Sequence, residues 1–512
     1  MNYEIENRVS KSPIKTIDLE DFIGDIDIVV FDIKCWLKDD LILVEKDFRE
    51  KVSSFDWSSY NGKNVAIQCS NDAIIPHWAF MLVSSELKNI NIKNFIGSIN
   101  DYENFLITEK INNINLAIYQ DKPVIIKGCS EKKFKEFLYS VLIEKIQKER
   151  IQKLLPALME EQDIDLWVMI TREYNEDPVV KTLLPPTWLN ARRRTILVFS
   201  KTGDGVDPVA ITRYNFGKNI RSIWNKEKEP DQWKALSDYI VAQNPDNIGI
   251  NISEHYGIAD GLAKTDYDLM IQALPKKFQK RVTSAETLAV RWIETRTPKE
   301  ITIFSQLTEI THNIIEEAFS TNVITPGNTT TEDVVWWMRE KVSALGLKTW
   351  FQPTVDVQRT GNSDLYAFDG KAKFDVIMPG DLVHCDFGIT YLTLNTDCQE
   401  LAYVLKPEET DAPDFLKEAL KKGNEVQDAL TDNFKKGRTG NSTLKMAIES
   451  SKNAGLRPQI YTHPLGLYGH SAGTTFGMWD AQDGIPGSGA VSYTHLRAHE
   501  TEADLVCRLL LE

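Results

Sequence analysis

The chain has 512 residues, a formal charge of −15, 42% hydrophobic and 26% charged residues, which suits two to four folded domains. That acidity argues against a nucleic-acid partner, because such affinity comes from clustered Lys and Arg neutralising phosphates. No apolar run nears the ~18 residues that span a bilayer, no signal peptide opens the chain, and six scattered cysteines form no disulfide framework, so a cytoplasmic protein without a membrane partner is expected.

The first segment runs to about Ile143. Strand-like runs at Ile26 to Ile33, Asn64 to Gln68, Ile92 to Ile96 and Pro123 to Lys127 alternate with helical patterns, notably Ala73 to Leu87 and Lys132 to Ile143. This predicts an α/β N-terminal domain. Two of its strands end alike, in Cys69-Ser70 and Cys129-Ser130, each ahead of a predicted helix that the Ser would cap. If those strands lie parallel in one sheet, Cys69 and Cys129 share an edge and could form a thiol site with His77 nearby. The plainer reading, two capped helices with small buried Cys residues, is preferred.

The second segment, 144–289, opens with a predicted helix at Gln147 to Gln162. Strands follow at Asp165 to Ile170, Thr195 to Ser200, Pro208 to Tyr214 and Asn247 to Ile252, with a helix at Asp231 to Gln243. It predicts a second α/β domain. The one compact basic run, Arg192-Arg193-Arg194, reads as a solvated edge or a substrate-carboxylate contact.

The third segment, 290–490, predicts helices at Lys299 to Ser320 and Glu332 to Ala344, parted by a turn at Thr325-Pro326-Gly327. Thr330 and Asp333 form a loose capping box. A hairpin follows, Asp381 to Thr390 against Leu394 to Leu405, then helices Asp414 to Asn433 and Thr443 to Asn453. Helices on one face of an antiparallel sheet make an α+β domain. Alternation puts His384, Asp386 and Gly388 on one strand face, and Asp397 lies on the return strand. Two Asp on a hairpin are by themselves most often turn residues. Joined to His463 and His470 in Tyr-Thr-His-Pro-Leu-Gly-Leu-Tyr-Gly-His, they read as a carboxylate-rich site for hard or borderline divalent ions, with Mn, Co, Fe and Zn all suited.

On these motifs, residues 144–490 resemble the proline-specific pita-bread metallopeptidases, the group of aminopeptidase P, prolidase and methionine aminopeptidase. The resemblance implies a creatinase/prolidase-like α/β domain over 144–289 and a pita-bread α+β catalytic domain over 290–490. It makes Asp386, Asp397 and His463 metal ligands for two ions and His470 the histidine that holds substrate and oxyanion. It implies hydrolysis of the bond preceding proline in proline-containing peptides by a metal-activated hydroxide, and it allows a homodimer. Two rivals stand beside it: a metal-free creatinase-type C–N hydrolase, which two intact aspartates argue against, and a non-catalytic peptide-binding module.

Three departures from the family pattern are expected to matter. Two further Glu ligands would have to follow Gly489, where residues 491–512 resemble translated adapter read-through, so the catalytic domain is expected to be truncated, its activity impaired and its last sheet edge open. A histidine common before the first Asp is replaced near Asp369. Residues 1–143 resemble a small uncharacterised bacterial family that normally stands alone, which raises the prospect of a chimaera; no activity comes with that resemblance.

Overall fold

The structure, a computed structural model, describes residues 15–18, 27–71, 73–112, 124–127, 135–203, 205–359, 376–435, 437–478 and 480–484. The chain divides into two compact units, Met1–Val141 and Leu142–Glu512. Among the described residues no helix is long and apolar enough to cross a membrane.

In the first unit, Ile28–Asp32, Asn64–Gln68 and Asn94–Ile96 form a parallel sheet in sequence order. Val65 and Ile67 on the middle strand, and Ala79, Val83 and Leu87 on helix His77–Asn89, are wholly buried. The four-residue spacing of the helical set is the stripe an amphipathic helix needs. That helix starts four residues later than predicted. Ile75 precedes a proline and is thereby driven out of the α region, so the helix begins after Pro76, which makes no side-chain cap. Ser70 is therefore not a cap; its N–H bonds instead to the Asp32 carboxylate, 3.1 Å away. Val124–Lys127 pairs with Lys15–Asp18 in a separate two-stranded parallel sheet. The strands ahead of Cys69 and Cys129 thus do not share one ladder among the described residues, and Cys129 itself lies outside them. Cys69 is a half-buried free thiol packed against the core of the first unit.

The second unit opens on the end of helix Lys135–Glu149, which runs on through a π turn, Arg150–Leu154, into helix Leu155–Glu161. A six-stranded sheet follows in the order Val282–Ser284, Ile248–Ile250, Leu166–Arg172, Arg194–Thr202, Gly205–Ala210 and Arg221–Ser222. Leu166 to Ile170 are buried on both faces, with Trp167 and Met169 in one core and Leu166, Val168 and Ile170 in the other. The predicted strand Pro208 to Tyr214 is shifted to Gly205–Ala210, because the pairing starts at Thr202–Gly205 and runs out at Leu197–Ala210.

Beyond this sheet, helices Pro298–Ala318 and Thr331–Ala344 cover one face of the antiparallel sheet Thr354–Gln358, Leu382–Phe387, Cys398–Tyr403. Both helices start in complete capping boxes, Thr297 with Glu300 and Thr330 with Asp333. Helices Asp414–Thr431 and Gly440–Asn453 share a smaller core around Leu430, Leu444 and Phe476.

Glu300 has a second task. Buried with Arg150, it accepts from Nη1 at 2.8 and 3.0 Å, while the guanidinium also donates to the Thr295 and Trp292 carbonyls. Two segments 150 residues apart in sequence are joined by a pair that solvent cannot replace. Glu300→Ala strands the Arg150 charge and is expected to cost about 3–5 kcal/mol, measured by denaturant unfolding.

Asp177 supplies a pH test. Its buried carboxylate caps Val179 and Val180 and accepts from Asn251, which in turn holds the Trp167 indole N–H. Burial raises its pKa to about 6, against the lowering effect of those bonds. The folded state therefore holds the proton more tightly than the unfolded one. This stabilisation is complete below the unfolded value near 4 and is lost as pH rises through about 6. Compared with Asp177→Asn, the unaltered chain should lose about 3 kcal/mol between pH 4 and pH 7, read as the difference between their urea midpoints.

Candidate metal and catalytic site

The strand Leu382–Phe387 has a strict two-residue alternation. Val383, Cys385 and Phe387 are wholly buried against the helices, which turns His384 and Asp386 to the opposite face. The return strand pairs Asp386 with Gln399 and Phe387 with Cys398. Continuing that register sets Gly388 against Asp397, so both aspartates occupy one face as diagonal neighbours. The hairpin is closed by Leu392 and Thr393, both at positive φ, 47° and 73°, the conformation of a two-residue type I′ turn.

Asp397 is fastened through the residue before it. The Thr396 hydroxyl lies 2.8 Å from that of Thr311 on the covering helix and accepts from the Ile389 N–H, and its carbonyl accepts from the Trp350 indole at 2.6 Å. At the strand's entry, Arg359 grips buried Asp381 in a fork, with both bonds at 2.7 Å.

His463 reaches this hairpin from far along the chain. Its Nε2 stands 3.2 Å from Asp397 Oδ2, and its Nδ1 lies 3.2 Å from the Pro464 carbonyl. A carbonyl and a carboxylate accept rather than donate, so both contacts favour the protonated ring. Its pKa agrees: burial opposes the charged form, but the Asp397 bond, the Pro464 carbonyl and the charges of Asp397 and Asp386 outweigh it and raise the value. The remaining Asp397 oxygen, Oδ1, is buried with no hydrogen-bond partner among the described residues. Such an atom is costly unless a cation satisfies it. A ring nitrogen and a carboxylate oxygen are donors of the type that divalent ions take, and an ion bound between them would replace the Nε2 proton.

The loop carrying His463 is pinned at several points. Asn395 donates from both its backbone N–H and its side chain to the Gly466 carbonyl, and Arg296 donates to Leu465. Tyr468 inserts into the core of the preceding sheet and donates to the Pro178 carbonyl at 2.5 Å. His470 meets His463 edge-on at 4.6 Å and the Trp350 ring at 5.4 Å. Gly388 and Gly469 both press on that indole, leaving no room for a Cβ at either position. Burial, with the His463 charge behind it and Asp397 opposing, lowers the His470 pKa and favours the neutral ring.

Of the four candidate residues, Asp397, His463 and His470 stand together. Asp386 is near enough for its charge to act on His463. Among the described residues, however, no three His, Cys, Asp or Glu side chains are grouped tightly enough to hold an ion as they stand. Asn395, Trp350, Tyr468 and Arg296 were not singled out from sequence, although Asn395, two residues before Asp397, and Tyr468, between His463 and His470, sat within motifs already under scrutiny. The replaced histidine near Asp369 and the tail at 491–512 lie outside the described residues.

Residues 303–498 match metallopeptidase family M24, and residues 3–155 match a protein family of unknown function, DUF2480. No curated protein matches the chain. Similar solved structures include the X-Pro aminopeptidase of Thermotoga maritima, at 16% identity over 65% of this chain and 88% of that one, with a TM-score of 0.46. The prolidase of Pyrococcus horikoshii follows at 17% identity, 69% and 87% coverage and 0.42. The Xaa-Pro dipeptidase of Bacillus anthracis stands at 19%, 69% and 86%, and 0.42. Similarity of that degree assigns no residue a role. Residues 303–498 thus resemble that metallopeptidase family, and the expected α/β, α/β and α+β layers are present among the described residues.

Because the folded pKa of His463 is raised, its stabilising effect is complete below the unfolded value near 6.5 and disappears as pH rises through the higher folded value. In metal-free solution the unaltered chain should therefore lose its advantage over His463→Gln as pH rises above about 6.5, measured by thermal unfolding.

Proposed function

We propose that the chain is a metal-dependent peptidase that hydrolyses the bond preceding proline, with Asp386, Asp397 and His463 as ligands for two divalent ions, Mn, Co, Fe or Zn. The observation that carries this reading is the Asp397–His463 pair, 3.2 Å apart beside an unsatisfied carboxylate oxygen, inside the stretch that matches a metallopeptidase family. When bound, such ions polarise the scissile carbonyl and lower the pKa of water at neutral pH.

The chain's own residues do the rest. Asp397 and His463 meet at one point, and cation binding there would displace the proton between them. Neutral His470, held edge-on against Trp350, can donate a hydrogen bond to the oxygen on which negative charge develops. The substrate class, proline-containing peptides, is that named for the similar aminopeptidase and dipeptidase; homodimerisation belongs to the same proposal.

The test is turnover of an Xaa-Pro dipeptide and a longer Xaa-Pro peptide by the full chain with added Mn2+ or Co2+. Cleavage should stop with a chelator and return with the ion, and Asp397→Asn should lower kcat/KM by ~100-fold or more. Cleavage indifferent to chelator, or none on any proline peptide, overturns the proposal.

A further inference from the structure

The face that carries Asp386 also carries His384, a second ring for which the proposed function has no use. Register places Gln399 directly opposite Asp386 and Leu401 opposite His384, so Gln399 lies diagonally between the carboxylate and the ring. Its side-chain amide spans them. Nε2 donates to Asp386 Oδ2 at 3.0 Å, and Oε1 lies 3.1 Å from His384 Nε2.

Chemistry dictates the direction of this chain. An ionised carboxylate only accepts, so the amide must turn its NH2 group toward Asp386. The amide oxygen then faces His384, whose Nε2 must carry a proton to donate. Each link thus removes a freedom from the next: the ring prevents the amide from flipping, and the amide prevents the carboxylate from turning. Gln399 engages Oδ2 alone. That carboxylate is a two-torsion side chain on a half-buried face, and the Gln399 bond removes some of its rotamers.

We propose that Gln399 is a positioning residue for Asp386, held in orientation by His384, and that it limits the carboxylate rotamers from which Asp386 can join Asp397 and His463 around a cation. This rests on the metal reading of the site. Partners of this kind, one bond removed from a metal, typically change metal affinity by 10–100-fold when lost. An amide that merely knits two strands would change stability instead.

The experiment titrates the metal-free full chain with Co2+, following visible absorption and heat. Gln399→Leu keeps the bulk and removes both bonds. It should bind Co2+ about 10–100-fold more weakly, with an altered absorption spectrum and an unchanged Tm without metal. His384→Leu should produce a smaller loss, with none added in the double variant. If Gln399→Leu fails to fold, His384→Leu decides, and unaltered Co2+ affinity there overturns the inference. Affinity within twofold of the unaltered chain for Gln399→Leu also overturns it, even if peptidase activity falls. No Co2+ binding by the unaltered chain overturns this inference and the metal site together. Binding that responds to Gln399 without cleavage of any proline peptide supports the inference and overturns the proposed activity.

Discussion

One constraint underlies the site: six residues of strand, Leu382–Phe387, must bury every second side chain. Val383, Cys385 and Phe387 have no access to solvent because two helices cover them. Given a period of two, His384 and Asp386 have only the other face available. A one-residue slip would bury the carboxylate among Phe304, Leu307 and Ile315 and expose Phe387. The hydrophobic effect on one face therefore fixes electrostatic geometry on the other.

The second half of the site comes from 66 residues farther on than Asp397, a separation that local structure cannot bridge. Long-range polar contacts and one inserted aromatic ring make up the difference. Asn395 reads the loop through Gly466, Arg296 through Leu465, and Tyr468 by entering a core built around Trp167 and Phe199. The Arg150–Glu300 pair works in the same way, tying the capping box of helix Pro298–Ala318 to the π turn Arg150–Leu154. In each of these contacts a donor meets an acceptor, which is what makes a buried polar contact tolerable, although Arg150 Nε has no partner among the described residues.

Local chemistry was legible where it was self-contained. Thr330 and Asp333 announced a capping box because both partners lie within four residues, and the hairpin was marked by alternating apolar side chains on either side of Leu392-Thr393. Where a distant partner or a proline intervened, the reading slipped. Ser70 looked like a cap, but Pro76 postponed the helix and Asp32 took the Ser70 N–H. The strand through Pro208 was placed too late, because its extent depends on where Arg194–Thr202 stops offering partners. The paired Cys-Ser motifs suggested a common edge, yet their strands pair with different neighbours.

By itself the sequence determined the class of each layer, the hairpin, and which two acids and two histidines were worth watching, since residue type and short-range spacing carry that information. Only the tertiary structure decided that Asp397 meets His463 while Asp386 is bound by Gln399, and that Trp350 lies against His470. The reason is one of range. Periodicity reports which face a side chain takes, but the distance between side chains on separate elements is set by packing and buried hydrogen bonds, whose partners stand tens or hundreds of residues apart.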